Sequence, residues 1–360
     1  MKPFILGISG LKLTQEEIEL FRTNPVAGFI LFGRNIESKL QLKELTSSLK
    51  SIYLDRSVPI YIDQEGGRVA RVKPPVSKRL YPSAAHFAEI YDSNPIDAKQ
   101  ELRANYMELM SELKSFGIDS PCAPVCDLYF EWASDVIGDR SYGATPEKVI
   151  TLAKSAIMGI EHAGGIPFIK HIPGHGRARV DSHYDLPIVD TPINKLEDTD
   201  FRVFKELASE KVYAMTAHII YTNLDKSLPA TISPPVIKYV RDNIGFKGTL
   251  VTDDINMYAL HGEVGKVRST LKKVIQLAQD NKDWKKDYSD SLTELFDFDT
   301  AGMGTIEVIE LCRKKLSLTK SDFIESLKNV TKMSLKAGCD IVLHCSGDID
   351  EMKAILQVSI

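Results

Sequence analysis

The chain has 360 residues, of which 43% are hydrophobic, and it carries a formal net charge of -4. This length suits one large α/β barrel, which takes about 250 residues or more, or two ordinary domains. The slight acidic excess argues against a nucleic-acid partner, and no apolar run of about 18 residues predicts a membrane span.

The amino terminus and the cysteines indicate the compartment. The first residues become polar too soon for a signal peptide. The five cysteines are odd in number and irregular in spacing, so they predict neither a disulfide framework nor a zinc site. We therefore expect a cytoplasmic protein that needs no metal or other cofactor.

Short apolar runs that end in Gly, Pro, Asp or His recur along the chain, with helical patterns between them. They predict eight strands, at residues 4–9, 27–32, 59–63, 118–124, 167–171, 212–218, 249–253 and 339–344. A capping box at Thr14–Glu17 and an apolar face on residues 98–116 support the intervening helices. The alternation predicts a (β/α)8 barrel, with residues 1–360 forming a single catalytic domain.

The connection between the seventh and eighth predicted strands is unusually long. It runs from about residue 257 to 337, whereas a strand and its helix usually need about 30 residues. Helical patterns occupy 266–280, 305–315 and 321–336, and 281–300 is polar and aromatic. We predict a helical insertion at 262–325 that covers the barrel rim or mediates self-association or binding to a protein partner.

Polar and titratable residues follow the predicted strands. Because all strands of such a barrel end at one face, side chains distant in sequence converge there. The residues at these positions are Asp63, Glu65, Arg71, Asp127, Arg140, Lys170, His171, His218, Asp253 and Asp254. The predicted active site is therefore the mouth of the barrel.

The segment from Lys170 to Gly176, Lys-His-Ile-Pro-Gly-His-Gly, is followed by Asp181, Ser182 and His183. Proline and glycine disfavour a helix, so this segment is predicted to be a loop after the fifth strand. Arg177 and Arg179 lie in the same loop. They could lower the pKa of His183 or meet an anionic substrate, and the sequence leaves both possibilities open.

Four segments, 62–69, 170–176, 181–183 and 251–257, resemble the signature segments of glycoside hydrolase family 3. More narrowly, they resemble its bacterial β-N-acetylhexosaminidases, which recycle cell-wall sugars. The resemblance covers roughly residues 3–260 and resumes at 337–343. It implies a retaining exo-β-N-acetylglucosaminidase whose substrate is N-acetylglucosaminyl-1,6-anhydro-N-acetylmuramic acid, with or without attached peptide.

The resemblance also implies roles for individual residues. Asp253 corresponds to the nucleophile, and a carboxylate at a strand end can attack an anomeric carbon. His183 corresponds to the acid/base, and Asp181 could fix its tautomer and stabilise its charged form. The residues expected to grip the terminal sugar are Asp63, Arg71, Arg140, Lys170 and His171.

Each assignment has a structural alternative. Asp253 or Asp254 could cap the following helix, and Asp63 could brace the barrel through an arginine. Lys170 could simply pair with a buried aspartate, because lysine is almost never buried unpaired. Asp181 and His183 could form a solvated loop pair.

Other functions also remain open at this point. A β-glucosidase, a β-xylosidase or a glycoside phosphorylase of the same superfamily is the nearest rival. From another class, Asp63, Glu65, Asp253 and Asp254 could hold a hard cation such as Mg²⁺. A sugar-binding protein without activity is a further alternative, although every expected catalytic position is filled.

Overall fold

The computed structural model describes residues 1–181, 186–209, 211–280, 282–296 and 302–359. Within these ranges the strands are β1 (Lys2–Gly7), β2 (Val26–Leu31), β3 (Ile60–Ile62), β4 (Gln64–Gly66), β5 (Val69–Ala70), β6 (Phe168–Ile172), β7 (Ile188–Val189), β8 (Tyr213–Thr216), β9 (Ile220–Tyr221), β10 (Leu250–Asp254) and β11 (Ile341–His344).

The helices of the described ranges alternate with these strands. They are α1 (Gln15–Thr23), α2 (Lys39–Lys50), α3 (Ala84–Ser93), α4 (Pro95–Ser115), α5 (Pro146–His162), α6 (Ile193–Asp198), α7 (Asp200–Leu207), α8 (Pro234–Asp242), α9 (Gly262–Gln279), α10 (Lys285–Phe296), α11 (Thr305–Leu318), α12 (Lys320–Ala337) and α13 (Ile349–Leu356).

The main sheet has seven parallel strands in the order β3-β2-β1-β11-β10-β8-β6. The coarser part of the predicted (β/α)8 barrel, an α/β fold built on a parallel sheet, is therefore confirmed, and closure into a barrel of eight strands stays a prediction. Seven of the eight predicted strands coincide with these seven, with ends that differ by a few residues.

The predicted fourth strand, at 118–124, is wrong as a regular strand. Pro121 and Pro124 have no N–H to donate to a ladder, and Cys122 has a φ of 48°. The chain nevertheless contacts both edges of the main sheet here, because Ser120 bridges to Tyr61 and Val125, just past the predicted strand, bridges to Lys170. The amide of Cys126 donates to the Lys170 carbonyl at 2.7 Å. An irregular segment thus lies between β3 and β6.

Side chains of the strands alternate between two apolar layers, as the two-residue period of a strand requires. In β1, Ile5 belongs to the inner layer, whereas Phe4 and Leu6 belong to the layer under the helices. The inner layer comprises Ile5, Ile30, Tyr61, Cys122, Phe168, Met215, Val251, Leu343 and Cys345. This apolar inner layer lies directly beneath the polar residues at the carboxyl ends of the strands.

Local sequence signals account for several helices. Thr14 and Glu17 form the predicted capping box at the start of α1. The apolar face predicted for α4 is buried, and α4 packs against α5. Gly159 allows this close packing, because a Cβ there would lie 2.5 Å from the carbonyl oxygen of Arg103.

In the described residues of the long connection between β10 and β11 there are four α-helices, α9 to α12. The polar stretch at 281–300 contains α10, which buries Leu292 in a small separate core. That core consists of Leu271, Val274, Ala278, Trp284, Leu292, Val308 and Cys312. Helix α12 runs through the expected insertion boundary at 325, and its Phe323 and Leu327 join the main core. The division at 262–325 stays a prediction.

Two further findings concern the described ranges. None of their helices combines the length and the apolar character needed to cross a bilayer. All five cysteines are buried free thiols.

Candidate active site

A cavity of about 170 Å³ opens at the carboxyl ends of the main strands. Apolar side chains from the inner layer form part of its lining, among them Ile30, Met215 and Leu343. The polar part of its lining is Asp63, Glu65, Arg71, Arg140, Lys170, His171, His175, Asp253 and Asp254. Six of the eight residues predicted for the site therefore share one cavity: Asp63, Arg71, Arg140, Lys170, His171 and Asp253.

Lys170 is the centre of an ion network in this cavity. Its side chain is 2% exposed, and Nζ lies 3.0 Å from Asp63 Oδ1 and 2.7 Å from Glu65 Oε1. Arg140 donates two parallel hydrogen bonds to Glu65, at 2.8 and 2.9 Å. Arg71 reaches Asp63 Oδ2 at 3.4 Å. Three of the residues predicted to grip the sugar, Asp63, Arg71 and Lys170, thus pair with one another, and Arg140 joins the network through Glu65.

The network keeps its members charged. Burial alone would raise the pKa of Asp63, but the charges of Lys170 and Arg71 outweigh it and lower that pKa. Burial is similarly outweighed at Glu65, where Arg140 and Lys170 hold the pKa well below its usual range. Burial would lower the pKa of Lys170, yet Asp63 and Glu65 raise it. These fixed donors and acceptors match what sugar hydroxyls require.

His171 is oriented by a buried carboxylate. Its Nδ1 lies 2.7 Å from Asp127 Oδ2, and Asp127 also accepts the backbone amides of His171 and His175. Burial favours a higher pKa for Asp127, but the charge of His171 reverses this and lowers the pKa. The other ring nitrogen, Nε2, points toward Asp253 Oδ2 at 4.0 Å. The imidazole thereby lies between Asp127, just after the irregular segment, and Asp253 at the end of β10.

Asp253 and its neighbour serve different purposes. The Asp253 side chain is 18% exposed and faces the cavity, where its Oδ1 accepts the backbone amide of Asp254 at 2.7 Å. Asp254 accepts the amides of Asn256 and Cys345, each at 3.0 Å, and burial raises its pKa. Asp254 therefore holds the turn after β10, whereas Asp253 lines the cavity.

Of the predicted acid/base pair, His183 lies outside the described residues, and only Asp181 lies within them. Asp181 is half-buried at the edge of that gap. Arg177 is buried, and its Nε donates to Asp200 Oδ2 at 2.7 Å. Arg179 is exposed, with its guanidinium 5.5 Å from the ring centre of Trp132. The two arginines, which the sequence could not separate, thus differ in environment.

The hard-cation alternative finds no support. In the described part of the chain, no three His, Cys, Asp or Glu side chains are grouped so as to hold a metal ion. Asp63 and Glu65 instead pair with Lys170, and Arg71 and Arg140 supply further positive charge to the same carboxylates. His218 is a buried core residue that contacts Thr231 and the Asp254 carbonyl.

Two residues that organise the site, Glu65 and Asp127, were not among the predicted catalytic or sugar-binding residues, and Glu65 was considered only as a possible cation ligand. Both follow predicted strands, so their positions placed them near the mouth. Their functions depend on which cation each one meets: Arg140 is 75 positions from Glu65, and His171 is 44 positions from Asp127. Phe32, at the end of β2, also lines the cavity, with the Arg71 guanidinium 5.7 Å from its ring centre.

Residues 5–284 match the sequence profile of the glycosyl hydrolase family 3 N-terminal domain. The chain belongs to glycoside hydrolase family 3. It is 36% identical over 269 residues to a β-hexosaminidase from Methylobacillus flagellatus, covering 74% of this chain and 75% of that protein. A β-hexosaminidase from Alkalilimnicola ehrlichii is 37% identical over 261 residues, covering 71% and 73%.

Solved structures of the family share the fold. NagZ from Neisseria gonorrhoeae in complex with N-trifluoroacetyl-D-glucosamine aligns with a TM-score of 0.75 and 28% identity, over 99% of this chain and 86% of that one. A family 3 β-N-acetylglucosaminidase from Paenibacillus sp. gives 0.75 and 26%, over 99% and 56%. The resemblance predicted from the four sequence segments is confirmed, and this family 3 protein is a glycoside hydrolase.

Proposed function

We propose that this family 3 protein is a retaining, exo-acting β-N-acetylglucosaminidase. The observation that carries the proposal is the Asp253 carboxylate, which faces a small cavity walled by the Lys170 network. The names of the relatives point to the same activity, and one similar structure holds an N-acylated glucosamine.

In this proposal the network binds the terminal sugar at its non-reducing end. Asp63 accepts hydrogen bonds from sugar hydroxyls, and Lys170, Arg71 and Arg140 donate to them. His171 donates or accepts at the same ring through Nε2. Because the cavity is small and its wall is made of fixed ion pairs, it suits one sugar unit at a chain end.

Asp253 acts as the nucleophile. Its carboxylate oxygen bonds to the anomeric carbon while the bond from that carbon to the leaving oxygen breaks, and His183 gives its proton to that oxygen. Water then attacks the anomeric carbon, returns a proton to His183 and frees Asp253. Asp181 holds the imidazole in the correct tautomer. Two inversions leave the product with the β configuration of the substrate.

The finer substrate follows the resemblance to the bacterial enzymes. We propose N-acetylglucosaminyl-1,6-anhydro-N-acetylmuramic acid fragments of peptidoglycan, hydrolysed in the cytoplasm during wall recycling. Water rather than phosphate is the proposed acceptor.

A fluorinated substrate tests the assignment of Asp253. A 5-fluoro N-acetylglucosaminyl fluoride keeps the acetamido group but slows loss of the covalent sugar, so the adduct should accumulate. Peptide mass mapping should locate it on the peptide that contains Asp253, and Asp253→Ala should yield no adduct. An adduct on another residue would overturn the nucleophile. If nitrophenyl glucoside were turned over as fast as nitrophenyl N-acetylglucosaminide, the protein would be a β-glucosidase instead. If a sugar phosphate formed when phosphate is added, it would be a phosphorylase.

A further inference from the structure

A stack of aromatic rings and guanidinium groups, buried at its inner end and exposed at its outer end, lies on loops that adjoin the cavity wall. Arg177 lies 4.4 Å from the ring centre of Phe130, and the rings of Phe130 and Trp132 are 5.2 Å apart and inclined by 33°. The Arg179 guanidinium covers the Trp132 ring at 5.5 Å. We call the outer pair, Trp132 and Arg179, the ledge.

The ledge is anchored from below. The inner end of the stack is fixed because buried Arg177 donates to Asp200 at 2.7 Å and to Thr199 at 3.1 Å. The amide of Ser134 donates to the Ala178 carbonyl at 2.8 Å, which joins the two loops that carry the ledge. The backbone that carries each half of the ledge is therefore tied to neighbouring structure, which limits the ordering that binding would require.

The same loop continues into the wall of the cavity. Val136 and Ile137 line it, only four and five positions after Trp132. Arg140, a member of the ion network, donates to the Val136 carbonyl at 3.0 Å. Arg179 precedes Asp181 by two positions, so the ledge also borders the loop that carries the proposed acid/base. The ledge is therefore continuous along the chain with one wall of the cavity and with that loop.

The chemistry of the ledge is specific. Trp132 is 54% exposed, although the only other tryptophan, Trp284, is 3% exposed within a core. Although Phe130 and Arg179 both contact its ring system, the part of the indole that remains exposed offers apolar surface against which a sugar can pack. A guanidinium beside it pairs with a carboxylate through two parallel hydrogen bonds.

We infer that Trp132 and Arg179 bind the leaving-group sugar, and that Arg179 selects one that carries a carboxylate. Trp132 packs on the ring of that sugar, and Arg179 receives its acidic substituent. This inference rests on the proposed glycosidase function. It adds a second sugar position, outside the cavity, whose residues decide which glycoside is cleaved fastest.

Three substrates separate the two contributions. N-acetylglucosaminyl fluoride has no leaving sugar, N-acetylglucosaminyl-β-1,4-N-acetylglucosamine has a neutral one, and N-acetylglucosaminyl-β-1,4-N-acetylmuramic acid has an acidic one. Arg179→Gln should lower kcat/KM about tenfold for the acidic disaccharide alone, as expected for loss of a charge-assisted hydrogen bond. Trp132→Ala should lower kcat/KM for both disaccharides and leave fluoride hydrolysis within twofold of the wild type.

Arg22→Gln, at an exposed position of α1, is the matched control and should change no substrate. The inference is overturned if Arg179→Gln leaves the preference between the two disaccharides unchanged while fluoride hydrolysis is normal. It is also overturned if Trp132→Ala spares both disaccharides. Failure of the wild type to cleave even the fluoride would instead overturn the proposed function, and this inference with it.

Discussion

Replacing Lys170 by methionine perturbs the centre of the ion network with little change in volume. The lysine is 2% exposed and contacts Asp63 at 3.0 Å and Glu65 at 2.7 Å. Methionine keeps most of the apolar stem but removes both contacts. Glu65 then retains Arg140, whereas Asp63 retains only Arg71 at the longer distance of 3.4 Å.

The expected cost follows from these contacts. Each hydrogen bond to a charged group contributes about 1.5–3 kcal/mol, and breaking a buried ion pair costs about 3–5 kcal/mol. Part of this is recovered, since the ammonium no longer has to be desolvated. We expect a loss of about 3 kcal/mol in the free energy of unfolding at pH 7. Because Lys170 contributes most to lowering the pKa of Asp63, that pKa should rise in the variant.

Urea unfolding followed by far-ultraviolet circular dichroism measures this loss. The matched control is Lys50→Met, which removes an ion pair with Asp119 of similar length, 3.0 Å, but with the lysine 33% exposed. An exposed pair contributes less than about 1 kcal/mol. The difference between Lys170→Met and wild type should narrow as the pH falls toward 4, because unpaired Asp63 can then take a proton. A loss no larger than that of the control would refute the reasoning.

Three further changes test other parts of the structure. Asp127→Asn removes the charge that orients the cavity imidazole, so kcat/KM on a sugar fluoride should fall about tenfold or more; unchanged kinetics would contradict the positioning role. Burial lowers the pKa of His261 to about 4. The stability contributed by its neutral imidazole is therefore fully present above pH 6.5 and is lost as the pH falls from 6.5 to 4, because the unfolded chain binds the proton first. His261→Gln should therefore flatten the dependence of urea stability on pH in that window, and an unaltered slope would count against it. Gly176→Ala should lower the free energy of unfolding by about 1–3 kcal/mol, because the new Cβ would lie 2.0 Å from the Leu128 carbonyl oxygen. Gly10→Ala, with open space around the new Cβ, is the control. Equal stability of the two variants would contradict the prediction.

The success of the strand predictions has a local cause. Apolar runs that end in a polar residue alternate with helical patterns, and each of these patterns depends only on residues that are close together along the chain. The prediction failed at 118–124 because the run is apolar but contains Pro121 and Pro124, which remove ladder donors. Whether such a segment still bridges two edges depends on the strands that flank it in space.

Site residues were predictable to the extent that they follow strands. Asp63, Arg71, Arg140, Lys170, His171 and Asp253 were placed together by that rule, and the structure brings them to one cavity. Their pairing could not be predicted, since Lys170 might have met any buried acid. The part of the prediction that concerns His183 lies outside the described residues and stays a prediction.

Arg177 and Arg179 show most clearly which properties the sequence determines and which depend on the tertiary structure. In sequence they are two arginines, two positions apart, with the same charge and the same reach. Only packing against α7 gives Arg177 a buried partner in Asp200, while Arg179 is left over the exposed face of Trp132. The positions of the strands along the chain, the composition of the loops and the family membership could be predicted from the sequence, because they depend on residues that are close together along the chain. The roles of individual charges were decided by the tertiary fold, because a charge acquires its pKa and its partner from residues that are distant along the chain.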